Sequence, residues 1–491
     1  MIYPSFQAAV ERAPDKPAVI AARDSLSYAE LLQRVQSTVT RLEQLGVQPG
    51  DAVAILLPNG IDFVVFCLAI LARKAIAVPI STRFQAEEVQ YYLDSSQARL
   101  VIHGEMATDM LCGIAPTLAR LDIEAEAAQA TPGPEQVIAP ASEDVPAIYM
   151  YSSGSTGKPK RVTRTHGQLM AEFHSLASTI ALNDSDRILC TVPLYHAHGF
   201  NNCLLAALLS GGTLVLMEGE FSPREATRQL QTQRITIYPA VPFMLKMIAE
   251  AFYPAKPDLS SVRLLFTAGA PLPLAVADRF HEVFGLMPRQ LYGSTETGAV
   301  AINYDGDQGA GESVGLPLDG IRIDILDEAG QPLPTGEVGE IAIASPAMTT
   351  RYDALPELTA ECFQRGYFLP GDLGLKDAAG RIYIKGRKKL LINVAGNKVD
   401  PLDVEALIKT HPKVQEVVVL GCPDPNYGEM VKAVVVATAD CTESEIVALC
   451  NQHLAWYKVP KRVEFRAEIP RSPLGKILRK YLQDDTIEVQ L

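Results

Sequence analysis

Between residues 27 and 104 the sequence switches three times from a helical period to a short, unbroken apolar run. Ser27 and Glu30 form an S-x-x-E capping box ahead of Leu31, Leu32, Val35, Val39 and Leu42, with Gly46 as the stop. D-A-V-A-I-L-L-P follows and reads as a buried strand. A helical segment around Phe63–Leu71 then precedes A-I-A-V-P, and Ala86–Leu93 precedes R-L-V-I-H. Further on, Ser222 and Glu225 form a second box, with Pro223 at the first helical position, before I-T-I-Y-P. Helices alternating with short apolar strands specify an α/β fold of layered, largely parallel sheets. In such sheets ligands sit beyond the carboxyl ends of the strands.

At 491 residues the chain exceeds one ordinary domain, and 48% hydrophobic content supplies ample core. Residues 105–145, rich in Ala, Pro and Glu, carry no clear period and read as a surface excursion. From about residue 310 the pattern changes to shorter β-like pieces with Gly/Pro turns: I-R-I-D-I-L-D-E-A-G-Q-P-L-P, V-G-E-I-A-I and G-R-I-Y-I-K-G-R. A helix near Pro401–Lys409, strands V-Q-E-V-V-V-L and K-A-V-V-V-A-T, and a helix opened by a Thr442–Glu445 capping box follow. The expected organisation is a large N-terminal domain, residues 1–385, with a β-rich subdomain from about 310. A charged hinge at 386–389 and a small α+β C-terminal domain, 390–491, complete it.

A formal net charge of -13 opposes a nucleic-acid or anionic-membrane partner, so any anionic substrate needs a local positive site. Eight cysteines without a C-x-x-C pair, several inside apolar runs, read as small buried hydrophobes in a reducing compartment. M-I-Y-P-S-F-Q lacks a secretory pattern, and Arg73-Lys74 and Gly211-Gly212 interrupt the longest apolar runs. The expectation is a soluble cytoplasmic protein with no membrane span.

Y-S-S-G-S-T-G-K-P-K, Tyr151 to Lys160, concentrates hydroxyls, glycines and lysines immediately after the apolar A-I-Y-M-Y. Glycine and hydroxyl residues let donors converge on an anion, and lysines add compact positive charge. The glycine spacing is not that of a P-loop, and Pro159 biases Lys158 away from helical backbone. Composition alone leaves a phosphate cradle and a solvated connection equally open.

With P-L-Y-H-A-H-G-F at 193–200, T-A-G-A-P-L at 267–272, Y-G-S-T-E-T-G at 292–298, P-G-D-L-G at 370–374 and I-P-R-S-P-L-G-K at 469–476, the chain resembles the adenylate-forming superfamily. That superfamily comprises acyl- and aryl-CoA synthetases, amino-acid adenylation domains and firefly luciferase. The match spans essentially the whole chain. The resemblance implies that Ser152, Ser153, Gly154, Ser155, Thr156, Gly157, Lys158 and Lys160 handle the ATP phosphates. His196 would be the gate beside the reacting carboxylate, although His196 and His198 by themselves also read as a partly buried pair at a strand end. Ala197, His198, Gly199, Tyr238 and Ala268 would line the acyl pocket. Gly269, Ala270 and Pro271 would approach the adenine, Tyr292 and Gly293 would flank it, and Thr295 would contact the α-phosphate. Glu296 would hold Mg²⁺, a hard cation suited to carboxylate and phosphate oxygens.

Asp372 and Arg387 match the ribose-binding pair, Lys389 the hinge, Gly396 the thiol entrance and Lys476 the catalytic lysine. Pro370 stands where the family has Thr, which removes a hydroxyl and a backbone donor. The implied reaction is activation of a carboxylic acid by ATP to an acyl-adenylate with release of pyrophosphate. Transfer to the thiol of CoA follows, or alternatively to the phosphopantetheine of a carrier protein; a degenerate nucleotide-binding regulator is the third reading. Ala197, where amino-acid-activating relatives carry Asp, opposes an α-amino acid. Phe200, Tyr238, Val241 and Ala268 favour an apolar acyl or aryl acid, while His198 also resembles malonyl- and oxalyl-CoA synthetases. Monomers and homodimers are both typical of the family.

Overall fold

The computed structural model describes residues 1–22, 24–124, 142–152, 159–304, 312–394, 397–424, 427–438, 440–472 and 477–483. They form two compact units, residues 1–323 with 343–368 and residues 324–342 with 369–491.

The large unit is built on two mixed sheets. In the first, Ala119–Asp122, Leu100–His103, Ala52–Leu56, Ile76–Pro79 and Pro146–Ser152 run parallel in that order, and Lys160–Thr165 closes the edge antiparallel. In the second, Pro17–Ile20, Thr213–Leu216, Arg187–Cys190, Ile237–Ala240, Leu264–Thr267 and Arg289–Ser294 are parallel neighbours. Gly298–Ile302 and Ser313–Pro317 extend it antiparallel. The apolar runs of the sequence are these strands: Ala52–Leu56 and Ile76–Pro79 are buried throughout.

Helix Tyr28–Gln44 starts at the expected capping box, with Ser27 and Glu30 satisfying each other's backbone N–H groups, an arrangement worth about 1 kcal/mol. The second expected box is only half formed. Ser222 caps Glu225 N, but the Glu225 carboxylate takes Arg228 and Gln229 instead of returning the bond. The described part of the 105–145 excursion also differs, because Ala119–Asp122 joins the sheet edge. Only Leu121 of that strand is buried, so no apolar run announces it.

In the small unit, Asp372–Lys376 and Ile382–Arg387 form an antiparallel hairpin. Beyond it, Val414–Asp424 and Gly428–Ala437 pair antiparallel, with Arg462–Phe465 parallel to the latter. Strand alternation sends Val417 and Val419 to one face, where helices Pro401–Ile408 and Glu443–His453 contribute Val404, Ile408, Ile446 and Cys450. Val418, Leu420 and Val434 point to the other face, onto Ile469 and Leu482. Each such side chain contributes about 1.5–3 kcal/mol on full burial.

All eight cysteines are free; five are buried, while Cys112 is exposed. Among the described residues no helix is long and apolar enough to cross a membrane.

Candidate active site

Three of the motifs lie just beyond the carboxyl ends of parallel strands of one sheet. Arg187–Cys190 leads to His196–Gly199, Leu264–Thr267 leads to Ala268–Pro271, and Arg289–Ser294 leads to Thr295 and Glu296. Ile237–Ala240 runs between the first two, and its last carbonyl joins them. Ala240 O accepts from His198 Nε2 at 3.0 Å and from Ala268 N at 3.3 Å. This is the strand-end position at which open α/β sheets bind ligands.

His198 is enclosed. Its Nδ1 lies 2.9 Å from Asn202 Nδ2, and its ring meets Phe266 edge-on at 5.9 Å. Burial lowers its pKa to about 4, so the ring is neutral, donating through Nε2 and accepting at Nδ1. His196 is half-buried and caps the short helix Ala197–Gly199, its Nδ1 accepting from His198 N at 3.3 Å. Gly199 permits the close return of this helix, because a Cβ there would stand 2.3 Å from Pro193 O. Tyr238 is fully buried, its hydroxyl 3.2 Å from that of Thr191. Gly269, Ala270 and Pro271 are exposed, and Ala268 is buried.

The 292–298 turn is held from inside. Ser294 N donates to Thr297 Oγ1 and Thr297 N to Ser294 Oγ, both at 3.2 Å. Glu296 is 6% exposed, and its carboxylate accepts the Tyr352 hydroxyl at 2.8 Å. Burial and that carboxylate push the Tyr352 phenol up, so it remains a donor. Thr349 N donates to Glu296 O at 2.8 Å. Tyr292 and Thr295 are half-buried, and Gly293 is exposed.

Of the Tyr151–Lys160 stretch, Tyr151, Ser152, Pro159 and Lys160 are described, and Ser152 and Lys160 face each other as cross-strand partners. Lys160 Nζ stands 5.1 Å from the Tyr352 ring centroid, within cation–π range. Tyr352 therefore touches both the lysine that ends the stretch and the carboxylate of the 292–298 turn. Ser153, Gly154, Ser155, Thr156, Gly157, Lys158, Gly396 and Lys476 lie outside the described residues.

In the small unit, Asp372 and Arg387 are cross-strand partners, and Arg387 Nε donates to Asp372 Oδ1 at 2.6 Å. Asp372 is buried and Arg387 exposed. Lys389 lies in the single-turn helix Lys388–Leu390, and Lys388 N donates to Gly371 O at 2.7 Å.

The motifs do not contain every residue that shapes these segments. Asn59 brackets the P-L-Y-H turn, donating to Val192 O and accepting from Leu194 N. Arg164, fully buried, donates to Glu172 at 2.9 Å and to Thr295 O at 3.3 Å. Period-2 alternation could have identified Arg164, which shares the buried face of its strand with Val162. Glu172 likewise sits on the buried stripe of its helix with Leu169 and Leu176. Tyr352 carries no comparable signal.

The chain matches the family model described as AMP-binding enzyme over residues 6–353, and that described as AMP-binding enzyme C-terminal domain over 403–476. An oxalate–CoA ligase of Arabidopsis thaliana is 31% identical, covering 97% of this chain and 96% of that one. A feruloyl-CoA synthase of Amycolatopsis sp is 35% identical over 96% of each chain. The crystal structure of ATP-bound MatB from Rhodopseudomonas palustris superposes with a TM-score of 0.90 at 27% identity, covering 98% of both chains.

Proposed function

This chain belongs to the AMP-binding enzyme family as an AMP-forming acid–CoA ligase, and on that premise we propose how its own residues carry the two half-reactions. In the first, a carboxylate oxygen attacks the α-phosphorus of ATP; the P–O bond to pyrophosphate breaks and an acyl-adenylate forms. In the second, the CoA thiol attacks the acyl carbon, loses its proton and expels AMP.

The observation that carries this reading is the convergence of His196–Gly199, Ala268–Pro271 and Thr295–Glu296 at neighbouring strand ends. It supports an acid site and a nucleotide site side by side, as an in-line attack requires. His196 gates the carboxylate, and Ala197, His198, Gly199, Tyr238 and Ala268 form or back the acyl pocket. Because His198 is neutral, it offers a second carboxylate no charge. With Phe266 against its ring this favours an apolar acyl or aryl acid.

Gly269–Pro271, Tyr292 and Gly293 receive the adenine, Thr295 bonds the α-phosphate, and Asp372 with Arg387 takes the ribose. Residues Ser152 to Lys160 clasp the departing phosphates. Lys476 supplies positive charge to the phosphorus under attack. Lys389 is the hinge between half-reactions, with the domain limits expected from the sequence, and Gly396 borders the thiol's path.

Glu296 fits Mg²⁺. Its nearly buried carboxylate is oriented by Tyr352, and among the described residues no group of three His, Cys, Asp or Glu side chains stands ready as a metal cage. The other ligands would be phosphate and water oxygens, as this cation prefers. Bound there, the ion would offset phosphate charge.

Acid-dependent ATP–pyrophosphate exchange across aryl, fatty, hydroxy and dicarboxylic acids tests the reading. The best acid is then offered CoA or a holo carrier protein. Exchange strongest with an apolar acid, and acyl-CoA with AMP as products, is expected. ADP formation, or exchange with no acid of the panel, would refute it.

A further inference from the structure

We infer that Glu172 and Arg164 are positioning residues for adenylate formation, coupling the segment that receives the acid to the turn that bears Thr295 and Glu296. The inference rests on the roles proposed above for those two segments. Glu172 lies on helix His166–Thr179 and is 2% exposed; Arg164, on strand Lys160–Thr165, is fully buried.

The Glu172 carboxylate gathers three parts of the chain. Oε2 accepts from Arg164 Nη2 and from Asn201 Nδ2, each at 2.9 Å, and Oε1 accepts from Ala299 N at 3.0 Å. Arg164 in turn donates to Thr295 O at 3.3 Å. Gly298, at φ +70°, passes directly over the carboxylate, where a Cβ would fall 2.1 Å from Oε2. The turn from Thr295 to Ala299 is therefore seated on this ion pair along its length.

The acid side reaches the same carboxylate through a π-helix, Phe200–Leu205, which directly follows His196–Gly199. Such widened turns are rare and are frequent at functional sites. Two adjacent residues of this one point to different partners. Asn201 binds Glu172, and Asn202 binds the His198 ring. One helical turn thus connects the neutral histidine of the acid motif to the carboxylate beneath the Thr295–Ala299 turn.

A buried ion pair is a weak source of net stability, because desolvation offsets its attraction, and apolar side chains of similar volume often replace it without loss. What apolar replacements cannot reproduce is the directional hold on Asn201, Ala299 and Thr295. The contribution of this pair is accordingly geometric.

The test compares Asn201→Ala, which leaves the ion pair intact, with the paired replacement Glu172→Leu and Arg164→Met. Each is assayed by exchange kinetics and by urea unfolding. Asn201→Ala should unfold near the wild-type midpoint while the KM for the acid rises and kcat of exchange falls about tenfold. The paired variant should keep or regain wild-type stability and yet lose about 100-fold in kcat of exchange. Exchange within twofold of wild type in any folded variant would overturn the inference, and if the paired variant does not fold, Asn201→Ala decides alone. Absence of acid-dependent exchange in the wild type would instead refute the functional reading, which separates the two failures.

Discussion

Tyr352 donates its phenolic hydrogen to Glu296 Oε1 at 2.8 Å, across 56 positions of sequence. A hydrogen bond to a charged group in a buried setting contributes about 1.5–3 kcal/mol. It fixes one oxygen of a carboxylate proposed to hold a cation, the arrangement by which outer partners orient metal ligands.

Tyr352→Phe removes that bond and little else. The Mg²⁺ concentration giving half-maximal exchange should rise about 10–100-fold. Rate against free Mg²⁺ measures it, and a curve superimposing on wild type would remove Tyr352 from the site.

Lys476→Ala should lower acid-dependent exchange about 10²–10³-fold, the usual effect of deleting one preorganised charge at a reacting centre. Transfer from a preformed acyl-adenylate to CoA should be largely retained. Near-normal exchange by this variant would show that Lys476 is not the catalytic lysine.

Asp372→Ala deletes a buried carboxylate and frees Arg387 from its 2.6 Å bond. If this carboxylate takes the ribose hydroxyls, the KM for ATP should rise about tenfold or more while that for the acid barely moves. Equal increases for both substrates would point to general disruption.

Burial lowers the pKa of both His166 and His198 to about 4, below the ordinary histidine value of 6.5. Between pH 6.5 and 4 the unfolded chain therefore binds more protons than the folded one, so stability falls as pH drops through that window. The loss amounts to at most about 3 kcal/mol for each ring. Urea midpoints at pH 7, 5.5 and 4.5 should decline for the wild type and less steeply for His198→Gln. Parallel slopes would mean that His198 titrates normally.

The layered α/β architecture was legible because buried strands and capped helices leave local marks in the sequence. Ala52–Leu56 is apolar at every position, and Ser27 with Glu30 announces the helix that follows. The edge strand Ala119–Asp122 left none, since an edge needs only one inward side chain. Glu296 and Asp372 stood out as candidates because compact patterns of glycine and polar residues surround them, in a turn for Glu296 and at the start of a strand for Asp372. The supports of such segments did not. Arg164, Glu172, Asn59 and Tyr352 act across long separations, such as the 127 positions between Glu172 and Ala299. A charged or polar side chain read locally is assigned to solvent; strand alternation and helical face place Arg164 and Glu172 in the interior, and Tyr352 carries no such mark.

Ile469 and Leu482 lie against Val418, Leu420 and Val434, with Ile477 beside them, and fully buried Lys432 donates to Leu482 O at 3.1 Å. Ile469, Ile477 and Leu482 are thus the lining of a sheet face that would otherwise be bare and rich in valine. An enzyme shortened before residue 469 would lose its lysine and its lining together, leaving strands open to association with other chains. Point substitution at Lys476 can therefore test the role proposed for it while leaving that lining in place, and truncation cannot.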